Sequence, residues 1–144
     1  MTAIESPALA TRPGRSISLL LAEAGEAERH VHTRAALRAG FRVQTAADGH
    51  EALAKALVTL PDVVVTEARL PGLDELELVR RIRRNPRTQA MPVVVWTERP
   101  ICDLIEVARA FECTSLVSKA CAFGTLARTI RRVVRDRSRD GAKR

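Results

Sequence analysis

The sequence has no apolar run of the roughly 18 residues that a membrane span needs. Its first residues, Met1–Arg15, lack the apolar centre of a secretion signal and are expected to form a flexible leader. The three cysteines, Cys102, Cys113 and Cys121, are an odd number with no CxxC spacing, which favours reduced thiols over disulfides. These absences predict a cytoplasmic protein with reduced thiols and no membrane partner.

Acidic residues are scarce at the C-terminal end, where the positive charge concentrates. The net charge is +7, and residues 128–144 hold eight basic and two acidic residues, a net of +6, which leaves +1 for the rest. A second basic cluster comprises Arg80, Arg81, Arg83, Arg84 and Arg87. Such segments can bind nucleic acid or an acidic partner, or can simply be solvated. Solvation is the preferred interpretation of the tail, because it has few aromatics for base stacking and no recognition motif.

Five short apolar segments are predicted to be strands. They are Ser16–Ala22, Phe41–Ala46, Asp62–Glu67, Pro92–Thr97 and Ser115–Lys119. The first, third and fourth are continuously apolar, which is typical of strands buried on both faces of a parallel sheet. The second alternates more and is expected nearer an edge.

Helical segments follow each predicted strand: Glu26–Ala39, Gly49–Leu60, Asp74–Arg84, Ile101–Phe111 and Phe123 to about Arg137. The alternation predicts an α/β fold, a doubly wound five-stranded parallel sheet with helices on both faces. We expect one domain, residues 16–135, between the leader and a basic C-terminal tail of residues 136–144.

Polar side chains stand at the ends of four predicted strands. Glu23 follows the first, Glu67 ends the third, Thr97 ends the fourth and Lys119 ends the fifth. Ligands of open α/β sheets bind at the carboxyl ends of the strands, so these four side chains are expected to converge on one rim.

From about Ser16 to Val134 the sequence resembles the receiver domain of bacterial two-component response regulators. The matching segments are LLLAEAGEAER (Leu19–Arg29), AADGHEAL (Ala46–Leu53), PDVVVTEARLPGLDELELVRRIR (Pro61–Arg83), MPVVVWT (Met91–Thr97) and SLVSKA (Ser115–Ala120). The resemblance implies a flavodoxin-like (βα)5 fold with strand order 2-1-3-4-5.

In that family a histidine kinase phosphorylates an aspartate that ends the third strand. Two acids after the first strand help to hold Mg²⁺, and a Thr or Ser and a Lys contact the phosphoryl oxygens. The resemblance therefore implies that Glu67 is the phosphoacceptor equivalent and that Glu23 and Ala24 are the acidic-pocket equivalents. Thr97 and Lys119 become the phosphoryl-contact equivalents.

Three positions depart from the family pattern. Glu67 is one methylene longer than aspartate, Ala24 offers no carboxylate, and Leu116 stands where the family has its switch aromatic. Because phosphoryl transfer depends on positioning, Glu67 is expected to be a poor acceptor. Mg²⁺ is expected to bind weakly at Glu23 and Glu67 or not at all, and no other cofactor is expected.

These departures favour a degenerate receiver, a "pseudo-receiver", with no catalytic residue and no enzymatic activity. Glu67 paired with Lys119 could stabilise only the fold or could hold a fixed signalling state. The expected function is a stand-alone protein interaction module, independent of ordinary aspartyl phosphorylation. Its partner would be a histidine kinase, an output protein or a second copy, bound through Ile101–Phe111 and Phe123–Arg137.

Two alternatives remain open at this point. One is a working phosphoacceptor in a phosphorelay, and the other is a nucleic-acid-associated regulator that uses the basic tail. His30, His32 and His50 have no metal-ligand spacing and are predicted to be surface residues, whereas Trp96 is predicted to lie in the core.

Overall fold

A computed structural model describes residues 15–74 and 76–142 of the chain. Its five parallel strands form one sheet in the order β2-β1-β3-β4-β5. The strands are β1 (Ser18–Ala22), β2 (Arg42–Ala46), β3 (Val63–Thr66), β4 (Val93–Thr97) and β5 (Ser115–Ser118). The predicted doubly wound α/β class, the strand order and the edge position of β2 are thereby confirmed.

Helices cover both faces of the sheet. They are α1 (Glu26–Arg38), α2 (Gly49–Thr59), α3 (Glu77–Arg84), α4 (Ile105–Ala110) and α5 (Phe123–Ala142). Helices α2, α3 and α4 pack on one face, where Leu20, Val64 and Val95 are buried. Helices α1 and α5 pack on the other, where Leu19, Val65 and Trp96 are buried. Because alternate residues of β1, β3 and β4 serve both cores, these strands are apolar throughout.

The third and fourth helices begin and end differently from the sequence prediction. Helix α3 begins at Glu77 rather than Asp74, because Leu76 adopts a left-handed conformation (φ 59°) and its N–H donates to Ala68 O at 2.7 Å. The predicted helix Ile101–Phe111 is divided into a 3-10 turn, Ile101–Asp103, and the short α4.

The fifth helix is longer than predicted. It continues past Arg137 to Ala142, so most of the predicted basic tail is helical. Its last buried residue is Val133, and residues 135–141 are all exposed. Within residues 15–74 and 76–142, we find no helix long and apolar enough to cross a membrane. All of the predicted leader except Arg15 lies outside the described residues.

Candidate functional site

Three of the predicted rim residues meet in one ion-pair cluster. Glu23, Glu67 and Lys119 each come directly after a strand, β1, β3 and β5 respectively. The ammonium Nζ of Lys119 donates to Glu23 Oε2 at 2.8 Å and to Glu67 Oε2 at 2.9 Å. One cation therefore bridges two carboxylates that come from non-adjacent parts of the chain.

The second oxygen of Glu67 is also hydrogen-bonded. The backbone N–H of Ala24 donates to Glu67 Oε1 at 2.9 Å. Arg29 on α1 steadies the same loop, since its Nη1 donates to the carbonyl oxygens of Glu23 at 2.9 Å and Ala24 at 3.2 Å. Ala24, the acidic-pocket equivalent, thus contributes a backbone donor to the rim in place of a carboxylate.

His32 belongs to this cluster, and its prediction as a surface residue was wrong. Its Nδ1 lies 2.9 Å from both carboxylate oxygens of Glu23. Its side chain is 23% exposed, whereas His30 and His50 are exposed as predicted. The signal that could have found it is position: His32 precedes the buried Ala36 by one helical turn, so both residues face the sheet.

Three packed rings, those of His32, Trp96 and Phe123, lie beside the cluster. The His32 and Trp96 rings have centroids 4.4 Å apart, and the Lys119 ammonium lies 5.3 Å from the Trp96 ring centroid. Phe123 at the start of α5 packs edge-on against the same indole at 6.0 Å. Trp96 is 4% exposed, as predicted for a core residue. Its Nε1 is buried and has no hydrogen-bond partner among the described residues. The indole therefore links the rim to α1 and α5 by packing.

Burial and charge act in opposite directions on Lys119. Burial would lower the pKa of its ammonium, but the hydrogen bonds and charges of Glu23 and Glu67 outweigh this effect and raise the pKa above its ordinary value. The Glu23 side chain is 1% exposed and the Lys119 side chain 11% exposed. The ion pair is therefore largely withdrawn from solvent, and the ammonium is held in its charged form.

Thr97 and Leu116 occupy the predicted strand positions but have other contacts. Thr97 ends β4 and its carbonyl oxygen accepts from the Lys119 N–H at 2.7 Å, while its Oγ1 accepts from Arg99 N at 2.9 Å. Leu116 lies on β5 opposite Val95 and packs against the core shared by α2, α3 and α4. Leu116 is therefore a packing residue on the face of the sheet opposite Trp96.

The donor set does not fit a Mg²⁺ site. Mg²⁺ requires near-octahedral oxygen ligation, and here the Lys119 ammonium lies between the carboxylates that would supply it. Position 24 brings no second acid next to Glu23. Among the described residues, no group of three His, Cys, Asp or Glu side chains is placed to hold a metal ion.

Comparison with known families agrees with this strand-end arrangement. Residues 19–131 match the response regulator receiver domain. The chain belongs to the response regulator receiver family. The cluster of Glu67, Glu23 and Lys119 lies at the strand ends, where the sequence resemblance led us to expect the equivalents of the family's phosphorylation residues.

Curated relatives include larger proteins. The transcriptional regulatory protein AfsQ1 of Streptomyces coelicolor is 40% identical over 82 residues, which are 57% of this chain and 35% of AfsQ1. The probable methanogenesis regulatory protein FilR2 of Methanothrix harundinacea is 32% identical over 123 residues, 80% of this chain and 79% of FilR2. This receiver thus spans about a third of AfsQ1 and most of FilR2.

Solved structures agree with the fold. The chemotaxis response regulator CheY4 of Vibrio cholerae is 27% identical with a TM-score of 0.76, covering 83% of this receiver and 99% of that chain. The receiver domain of the sensor histidine kinase PA1611 of Pseudomonas aeruginosa has the same TM-score at 23% identity, covering 83% and 98%. That structure holds a magnesium ion in its active site cleft, and its likeness to this chain is one of fold alone.

Proposed function

We propose that this receiver is a pseudo-receiver, a protein interaction module whose state does not depend on aspartyl phosphorylation. The observation that carries the proposal is the bridging ammonium of Lys119, which bonds Glu67 and Glu23 together. The closed cluster fixes the rim in one arrangement without a phosphoryl group or a metal ion.

The geometry of Glu67 supports this proposal. An acceptor carboxylate must present an oxygen in line with the phosphoryl donor, and transfer depends on that positioning. Both oxygens of Glu67 already accept hydrogen bonds, one from Ala24 N and one from Lys119 Nζ, each at 2.9 Å. The metal that would neutralise the incoming phosphoryl group lacks a ligand at position 24. Phosphorylation would therefore require the cluster to open first.

The protein is proposed to act by binding rather than by catalysis. Helix α4 presents two exposed apolar side chains, Ile105 at 45% and Val107 at 36% exposure. They lie within the predicted contact region of Ile101–Phe111. The two side chains are two residues apart on the helix and face different directions, so the proposed contact centres on Ile105, the more exposed of the two, which a protein partner would desolvate on binding.

Incubation with acetyl phosphate and Mg²⁺, followed by intact-mass measurement, tests the phosphorylation arm. We expect no adduct of about 80 Da on the native protein. The matched positive control is the double variant Ala24→Asp/Glu67→Asp, which restores both family acids and should gain the adduct. An adduct on the native protein that disappears in Glu67→Gln would overturn the proposal in favour of a working phosphoacceptor.

Co-purification from the source cell, read by mass spectrometry, tests the binding arm. We expect a protein that is retained by the native chain and lost with Ile105→Glu. The control is Val58→Glu, which places the same charge at a 77% exposed apolar residue on α2. A partner lost equally with both variants, or no partner at all, would contradict the proposed contact surface.

A further inference from the structure

Helix α5 carries a stripe of arginines on the side opposite the sheet. The residues are Arg128, Arg131, Arg132, Arg135 and Arg139, all exposed. At 3.6 residues per turn they occupy about 100° of the helix circumference, and the stripe is about 16 Å long. The buried residues of α5, such as Ile130 and Val133, lie on the other side. We call these five residues the arginine stripe.

The charges of the arginine stripe are mostly not neutralised by acids. Arg128 donates to Thr125 Oγ1 at 3.3 Å, Arg131 to Ala39 O at 2.7 Å and Arg132 to Ser115 Oγ at 3.5 Å, which are all uncharged acceptors. The ion pair of Arg135 with Asp136 is long, at 3.9 Å, and both side chains are more than half exposed. Such a pair is weak in water. The stripe therefore remains a strongly positive surface.

The other arginine-rich helix is different. On α3, Arg80 and Arg81 both pair with Glu77, at 2.7 and 3.0 Å. Arg83 is only partly exposed, unlike the stripe arginines, and it donates to backbone oxygens of Met91 at 2.6 Å and Glu112 at 2.9 Å. Both helices are rich in arginine in the sequence, but in the structure α5 carries more positive charge that is not paired with acids.

We infer that the arginine stripe binds the phosphodiester backbone of a nucleic-acid duplex, without base specificity. A guanidinium matches a phosphate by two parallel hydrogen bonds, and the stripe offers five on one rigid helix face. It has no aromatic side chain on which an unpaired base could stack, which favours a duplex over a single strand.

Two other anionic partners fit less well. A membrane-surface helix inserts an apolar face among the lipids, but the apolar face of α5 is buried against the sheet. Exposed large apolar side chains of the described chain lie on α1, α2, α4 and at Leu60, not on α5. A protein interface would be expected to have an apolar centre, which the stripe lacks. A pure array of guanidinium groups is suited to a uniform line of phosphates.

Fluorescence anisotropy with a labelled duplex of mixed sequence and the full chain tests the inference. If five arginines each release one counterion, the logarithm of the binding constant falls with the logarithm of salt at a slope of about −4.5, an affinity loss of about 500-fold between 50 and 200 mM salt. The variant Arg128→Gln/Arg135→Gln/Arg139→Gln keeps two stripe arginines, so its slope should be about −1.8 and its loss about 12-fold.

The matched control is Arg81→Gln/Arg84→Gln/Arg87→Gln, which removes the same charge from exposed positions on and after α3. It should retain most of the native slope. Circular dichroism verifies that both triple variants are folded. No binding at low salt, or an equal loss in both triple variants, would overturn the inference. So would tighter binding to anionic lipid vesicles or polyglutamate than to the duplex.

Discussion

Replacing Lys119 with methionine should lower the free energy of unfolding by a measurable amount that can be assigned to the ammonium group. Methionine preserves most of the length of the side chain but removes the ammonium that bridges Glu23 and Glu67. The Glu23 carboxylate, 1% exposed, would then keep His32 as its remaining side-chain hydrogen-bond partner from the cluster. A buried charge that loses its partner destabilises a protein far more than an exposed one does.

The size of the effect follows from the burial of the three groups. Loss of one partner of a buried ion pair costs about 3–5 kcal/mol, and the residual exposure of Lys119 places the expected value at the lower end, about 3 kcal/mol. Glu67 is 25% exposed, so Glu67→Gln should cost only about 1 kcal/mol. In the Lys119→Met background, Glu67→Gln removes a negative charge that faces Glu23 and should be neutral or stabilising. The effect of Glu67→Gln should therefore differ by about 1–2 kcal/mol between the two backgrounds, and this difference is the coupling energy.

Urea unfolding of the native chain, the two single variants and the double variant measures this coupling. Trp96 is the one tryptophan of the sequence and contacts the cluster, so its fluorescence reports unfolding directly. The reasoning is refuted if Lys119→Met lies within about 0.5 kcal/mol of the native protein, because surface substitutions have effects of that size. It is also refuted if Glu67→Gln costs the same in both backgrounds.

Alkaline pH provides an independent arm of the same prediction. Because the folded pKa of Lys119 is raised above 10.5, its stabilisation is complete below the unfolded pKa and is lost as pH rises through the folded pKa. The difference in unfolding free energy between the native chain and Lys119→Met should be constant between about pH 7 and 9 and should shrink above pH 10.5. A difference that grows with pH over that range would contradict the assigned charge state.

Two further substitutions test contacts that the sequence did not indicate. His32→Ala should lower the free energy of unfolding by about 1–2 kcal/mol, because Glu23 loses a hydrogen bond and Trp96 loses a packed ring. The control is His30→Ala at an exposed position of the same helix, which should have little effect. Arg83→Met should lower the free energy of unfolding by about 2–3 kcal/mol, because three acceptors lose their donor: Met91 O, Glu112 O and Thr114 Oγ1. The control Arg84→Met, at an exposed position, should change the free energy of unfolding, measured by heat or urea, by no more than about 0.5 kcal/mol. Equal effects of either substitution and its control would count against these contacts.

The parts of the fold that the sequence predicts are those in which burial imposes a pattern on successive residues. Strands β1, β3 and β4 are continuously apolar because both of their faces are covered, whereas the edge strand β2 is less buried and more polar. The rim residues Glu23, Glu67 and Lys119 were predictable for a related reason. Parallel strands end on one edge, so the residue after each strand is placed by topology.

The boundaries that prediction missed depend on single backbone conformations. Leucine rarely adopts a positive φ, so nothing in the sequence indicates that Leu76 does so and delays the start of α3. The turn before α4 depends on a similar detail. Residues Ile101–Asp103 form 3-10 rather than α-helical hydrogen bonds, and amino-acid composition does not distinguish the two.

The role of His32 was missed because the apolar pattern of α1 is misleading. Val31 and Leu37 are apolar but are 61% and 54% exposed, while the polar His32 points toward the sheet. A polar residue turns inward here because a buried carboxylate needs a donor, and that requirement comes from Glu23 on another element. The helical spacing from Ala36 indicates that His32 faces the sheet, but only the three-dimensional arrangement identifies Glu23 as its partner.

The ammonium that holds both carboxylates also bears on how such a protein could carry information. In a switchable receiver, the fraction of molecules in the active form is set by enzymes that add and remove a modification. Under the proposed function, a rim whose two carboxylates are bridged by the chain's own ammonium gives every molecule the same form, so the number of copies in the cell is the quantity that varies. The strength of the signal would then depend on how fast the chain is synthesised and degraded, and it would change on the timescale of gene expression rather than of phosphate turnover.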